Sequence, residues 1–181
     1  MNKPFVRKLA VAVPALLIST FAHSAPWDTQ INDPTRFTVL VDFGKAAVLD
    51  RETGRVWERS PDTFQSQWLQ AQAQCNLKNV GNRKGWRLPS VQELASLVDT
   101  TVFLPGPKLP AGHPFLNIKI TGDPALPPGT SASGYWTTTS WSADPTVAWD
   151  VEFQTGVVAN TSKSVYHWVW CVRGGSGTDN Q

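Results

Sequence analysis

Short apolar runs bounded by charged residues give extended signals over residues 36–42, 46–50 and 55–58. Asp50-Arg51-Glu52-Thr53-Gly54 lies between the last two runs, so the pattern predicts short antiparallel strands joined by a turn. The pattern then changes. Trp68, Ala71 and Cys75 recur at helical spacing after Ser60-Pro61-Asp62-Thr63. Ser60 or Asp62 can cap there and Pro61 suits a first turn, which predicts a helix over 63–77. In Trp86-Arg87-Leu88-Pro89-Ser90, Pro89 pushes Leu88 toward extended geometry. Ser90 and Glu93 have capping-box spacing, so a second helix is expected over 90–99, burying Leu94, Leu97 and Val98.

Over 100–134 the pattern dissolves. Seven prolines, from Pro105 to Pro128, interleave with Gly106, Gly112, Gly122 and Gly129, which predicts a long Pro/Gly-rich loop region pinned near Phe115, Leu116 and Ile118. Three further strands are expected over 134–140, 148–153 and 165–173. In the middle one, Trp149, Val151 and Phe153 alternate with Ala148, Asp150 and Glu152, the mark of a strand with one core face and one wet face. Gln154-Thr155-Gly156 supplies a turn, and 157–160 returns as another strand. Two early helices and a β-rich second half predict an α+β fold, with both helices packed on an antiparallel sheet.

Composition and charge change this picture mainly at the N-terminus. Lys3, Arg7 and Lys8 precede an apolar run from Leu9 to Ala22 that is interrupted by Pro14 and falls short of a bilayer span. Residues 1–24 therefore read as a secretory signal peptide, with the mature chain beginning at Ala25. Residues 25–35 form an extension, 36–174 the folded domain and 175–181 a flexible tail. Removing the three signal-peptide cations takes 16 basic residues to 13 against 14 acidic ones, so the formal charge moves from +2 to −1. Such a surface carries no argument for nucleic acid, and no stable membrane insertion is expected. Cys75 and Cys171 are the only two cysteines, and in an exported chain they are expected to form one disulfide.

Candidate chemistry is sparse. Nine tryptophans stand against two tyrosines. Trp57, Trp86, Trp136 and Trp149 fall where alternation points inward and read as core. Trp141 lies beyond a Thr-rich strand end, beside Ser142-Ala143-Asp144-Pro145, where stacking on a ligand ring becomes plausible. Tyr166, Trp168 and Trp170 share one strand face, which is either a second core layer or an exposed platform. Asp144 and Asn160 are candidate hydrogen-bonding partners near Trp141. His113 and His167 are isolated and offer no metal spacing, so neither a metal nor a cofactor is expected. Asp150 and Glu152 could form an acid–base pair for hydrolysis, although charged alternate positions are ordinary on a polar strand face.

Several stretches in order resemble one family. They are Ala47-Val48-Leu49-Asp50-Arg51-Glu52-Thr53-Gly54-Arg55-Val56-Trp57-Glu58, Gly85-Trp86-Arg87-Leu88-Pro89-Ser90 with Glu93-Leu94, and Tyr135-Trp136-Thr137-Thr138-Thr139. Ala148-Trp149-Asp150-Val151 with Phe153 and Gly156, and Cys171-Val172-Arg173, complete the set. Together they are similar to the Lcl C-terminal domain family, named after the C-terminal domain of the Legionella collagen-like adhesin. The resemblance implies a C-type lectin-like fold and binding of carbohydrate or glycosaminoglycan, without a catalytic mechanism. The chain lacks the collagen repeat of the namesake, so trimer-driven avidity does not transfer. It also lacks a Glu-Pro-Asn triplet, which argues against a lectin-type calcium site.

The resulting expectation is an exported, non-catalytic binding module that recognises a glycan or an envelope or surface partner. Trp141, Asp144, Asn160, Tyr166 and Trp168 are its candidate ligand contacts. The alternative is a structural protein–protein interaction domain accessory to surface assemblies. A third reading is an enzyme distantly like the formylglycine-generating oxidases, which requires reactive thiols close together.

Overall fold

The computed structural model describes residues 35–103, 105–127 and 129–174. The proposed signal peptide, most of the N-terminal extension and the tail lie outside the described residues. The chain forms an α+β fold with two short helices and two four-stranded sheets, rather than a single sheet.

The first sheet combines β1 (Phe37–Val39), β2 (Ala47–Asp50), β3 (Arg55–Glu58) and β8 (Val172–Arg173), in the order β1-β2-β3-β8, antiparallel throughout. The first strand stops at Val39 and a 3-10 turn, Val41–Phe43, replaces its expected end. Gly44 closes that turn with φ +60°, which costs glycine nothing. The predicted hairpin is present, with Asp50 opposite Arg55 and Ala47 opposite Glu58.

Helix α1 is Trp68–Leu77, shorter than expected at its start. Ser66 forms an antiparallel bridge with His167 and Gln67 is extended, so the chain before Trp68 is held as a strand-like segment. Neither Ser60 nor Asp62 caps the helix. The Trp68 N–H is instead satisfied by the Lys163 carbonyl, 3.2 Å away. Trp68, Ala71 and Cys75 form the buried stripe. Helix α2, Val91–Ala95, starts where expected: Ser90 Oγ accepts from Glu93 N–H and Glu93 Oε2 accepts from Ser90 N–H. Leu94 and Leu97 are fully buried.

Between α2 and the next strand no helix or strand occurs among the described residues. Leu109 and Phe115 nonetheless belong to the core. The second sheet is built from β4 (Ser131–Trp141), β5 (Asp144–Val151), β6 (Val158–Ser162) and β7 (Tyr166–Trp168), in the order β6-β5-β4-β7. Residues 131–134, expected in the loop, open β4. The β4–β7 pair is parallel and the other pairs are antiparallel.

Two apolar clusters hold the layers together. One joins Val48, Trp57, Leu94, Leu97, Tyr135, Val151, Phe153 and Trp170. The other surrounds α1 and includes Trp86, Leu88, Trp136, Ala148 and Cys171. The Cys75–Cys171 disulfide forms as expected, tying α1 to the chain just before β8.

Candidate binding surface

The β4–β5 hairpin places Trp141 directly opposite Asp144, with Ser142 and Ala143 as its two-residue turn. Trp141 is half-buried. Asp144 Oδ1 accepts from the Thr146 hydroxyl at 2.7 Å and the Thr146 N–H at 2.8 Å. Those bonds, the hydroxyl first, hold the exposed carboxyl below its ordinary range. The hairpin tip therefore offers a partly open indole face beside an ionised carboxylate.

Asn160 lies elsewhere, on β6, and its direct cross-strand neighbour is Trp149. The core reading of Trp149 needs correction, because its side chain is only half-buried while Val151, two residues on and on the same face, is sealed. Opposite residues in an antiparallel pair share a face, so the Asn160 amide and the Trp149 indole stand side by side. Val147 with Ser162 and Val151 with Val158 extend that face in both directions. Sequence reasoning missed Trp149 because alternation along β5 gave its side, and only the register with β6 shows how little covers it.

Tyr166 and Trp168 sit on β7, across β4 from these residues. Trp168 is 3 % exposed, and its Nε1 donates to the Thr121 carbonyl at 2.8 Å. Trp170 is fully buried, so Trp168 and Trp170 belong to the core, while Tyr166 at the start of β7 is half-buried. The five candidates thus occupy three places. Trp141 and Asp144 are together, Asn160 joins Trp149, and β7 faces other neighbours.

Behind this surface, β5 departs again from the expected one-sided burial. Asp150 is buried on the opposite face, where Thr161 donates to its Oδ2 at 2.9 Å and His167 Nδ1 stands 3.9 Å from its Oδ1. Gly134 makes that approach possible: a methyl there would overlap Asp150 Oδ1 and lie 2.8 Å from His167 Nδ1. Burial pushes the Asp150 carboxyl up to about 6 and the His167 imidazole down to about 4. The His167 ring lies tilted against Trp136, with centroids 4.1 Å apart, and neither nitrogen has a hydrogen bond of standard geometry. Glu152 is turned to Ser133 and Thr155, which both donate to it. Asp150 and Glu152 are therefore engaged in separate internal networks. No group of three or more His, Cys, Asp or Glu residues among the described residues is arranged to hold a metal ion.

The family model of the Lcl C-terminal domain matches residues 46–173, a span that takes in every element from β2 to β8. The chain belongs to the Lcl C-terminal domain family. A comparison with curated proteins found no match. The Lcl C-terminal domain is adhesin-associated, which fits a surface or exported location and a binding role. Within the matched span lie the disulfide, the Trp141–Asp144 hairpin and the Trp149–Asn160 pair. No described helix is long and apolar enough to cross a membrane.

Proposed function

We propose that this chain is an exported, non-catalytic binding module with a C-type lectin-like arrangement, recognising a glycan of a cell envelope or surface. The observation that carries this reading is the pairing of two half-buried indoles with polar side chains: Trp149 beside Asn160, and Trp141 opposite Asp144. An indole face covers the apolar C–H surface of a sugar ring, while an adjacent amide or carboxylate takes its hydroxyl hydrogen bonds. The two pairs lie five residues apart along β5, with a register shift in the β4–β5 ladder between them, so each is a contact in its own right.

The test is a glycan array on the oxidised mature protein, covering neutral and sulfated polysaccharides at low and high salt. Binding by stacking and hydrogen bonding survives high salt, whereas binding by charge does not. Trp149→Ala and Trp141→Ala are each expected to abolish array binding with little change in melting temperature. Retained binding in both folded variants removes this surface as the site.

A second reading, a structural protein-interaction domain, is favoured by helix α1. Its ten residues carry no charge, and Leu69 and Leu77 are 71 % and 83 % exposed on its outer side. It predicts a stable protein partner that free sugars do not displace. The oxidase-like reading loses its chemical basis, because both thiols are committed to the disulfide.

A further inference from the structure

The four sheet edges are treated unequally. β1 is only three residues long. β8 is bridged by Arg87, which exchanges two main-chain hydrogen bonds with Val172, and β7 is bridged in the same way by Ser66. β6 is five residues long, carries no charge, proline or glycine, and pairs only with β5 among the described residues. Natural sheets guard such edges with lysine, proline or a bulge, and this one has none within the strand.

The register shows what β6 presents. Glu152 N–H donates to the Val157 carbonyl and Lys163 N–H to the Thr146 carbonyl, both at 2.9 Å. Hydrogen-bonded pairs in an antiparallel ladder alternate, so 150 with 159 and 148 with 161 are also bonded pairs. Ala159 and Thr161 therefore direct their main chain to β5. Val158, Asn160 and Ser162 direct theirs outward, and among the described residues only the Ser162 carbonyl of these groups is already used, by Val165 N–H. Val157 and Val158 leave apolar surface at the same edge, 51 % and 41 % exposed.

We propose that a second copy of this chain pairs antiparallel with the β6 edge about a two-fold axis at Asn160, making one continuous eight-stranded sheet. In that register Asn160 exchanges both main-chain bonds with its mate, and Ser162 N–H meets the Val158 carbonyl of the other copy. Charge selects the antiparallel sense. β6 is neutral, so no like charges face each other. The Lys163 end of one copy meets the uncharged Val157 end of the other, whereas a parallel pairing would bring the two Lys163 ends together.

One strand pair of this length falls well short of the roughly 1,600 Å² of a standard stable interface, so the dimer is reversible and forms at high local concentration. Such a contact is useful where copies are already crowded on a surface. It also places Trp149, Asn160 and their two mates in a row across four strands, with the indoles roughly 14 Å apart at the usual strand spacing. The dimer stands independently of the glycan reading, and only this composite face rests on it.

The test is sedimentation equilibrium of the oxidised mature chain over a wide concentration range, with amide hydrogen exchange on the same samples. The expected result is a monomer–dimer equilibrium in which the amides of Val158, Asn160 and Ser162 gain protection with concentration, while those of Ala159 and Thr161 are protected throughout. Asn160→Pro removes an outward N–H and nothing from the β5 ladder, so it is expected to weaken dimerisation by about tenfold or more. Val158→Lys puts a charge on the same edge and serves if the proline variant fails to fold. A chain that is monomeric at every concentration overturns the proposal, as does a dimer that both folded variants preserve. Glycan binding by a strict monomer removes the dimer and leaves the proposed function standing. A dimer protected at β6 that binds no glycan does the reverse.

Discussion

The two sheets are equal in strand number and opposite in how they treat buried charge. In the first, Asp50 is fully buried and receives two bonds of 2.9 Å from Arg36, with the Glu52 N–H and the Thr53 hydroxyl as further donors. Glu58 and Asp62 share Lys78 at 2.6 Å each. Burial alone would raise the Glu93 carboxyl, yet bonds from Arg87, Ser90 N–H and Arg55 hold it at about 2, fastening α2 to β3. In the second sheet, Asp150 and His167 are buried side by side without a strong mutual bond, and two tryptophans stay partly open. Complete pairing makes the first sheet a scaffold. Incomplete pairing leaves the second with a carboxyl raised to about 6, an imidazole lowered to about 4, and aromatic surface available to a ligand.

Removing the disulfide that fastens α1 to the entry of β8, a strand of the first sheet, is expected to have the largest effect. The disulfide closes a loop with a sequence separation of 96, and Cys75→Ser with Cys171→Ser is expected to cost about 4 kcal/mol in urea unfolding. A cost under about 1 kcal/mol would show that α1 stays docked on its packing alone. Within the scaffold, Asp50→Ala strands the buried Arg36 guanidinium and is expected to cost about 3 kcal/mol. Near-neutral unfolding data for that variant would erase the contrast between the sheets.

The smallest effect, and the sharpest, depends on pH. Asp150 has a raised folded value, about 6 against 3.8, so its contribution to stability is present below pH 3.8 and lost as pH rises through 6. His167 has a lowered one, about 4 against 6.5, so its contribution is present above pH 6.5 and lost as pH falls through 4. The two oppose each other across pH 4–6. Asp150→Asn is expected to add about 2 kcal/mol at pH 7.5 and to expose the histidine's loss on acidification. His167→Gln is expected to reverse that slope. Urea unfolding of both variants from pH 4 to 8 checks this, and parallel profiles would show that the pair does not control the second sheet's stability.

Local chemistry was legible in the sequence. The Ser90–Glu93 capping box, the Asp50–Gly54 turn and the helical stripe of Trp68, Ala71 and Cys75 each depend on neighbours within a turn of chain. Non-local pairing was not. Helix α1 starts late because Ser66 is recruited by His167, about a hundred residues away in sequence. The Asp150 face of β5 looked wet because a carboxylate alternates there, and its cover comes from Gly134, Thr161 and His167 on three other strands. The same limit applies to the candidate surface. Trp141 and Asp144 were found together because they flank one turn, whereas Trp149 and Asn160 meet only through strand register.

The order of strands in the first sheet also governs how the protein can be made. β1, β2 and β3 leave a ribosome early, but their fourth member, β8, comes from residues 172–173. Until those residues emerge, β3 has an unfilled edge, Glu58 lacks the Cys171 N–H that it accepts at 2.9 Å, and Cys75 has no mate. The domain therefore closes last at a seam joining its beginning to its end, and a nascent chain must be kept from pairing wrongly until synthesis has passed that seam.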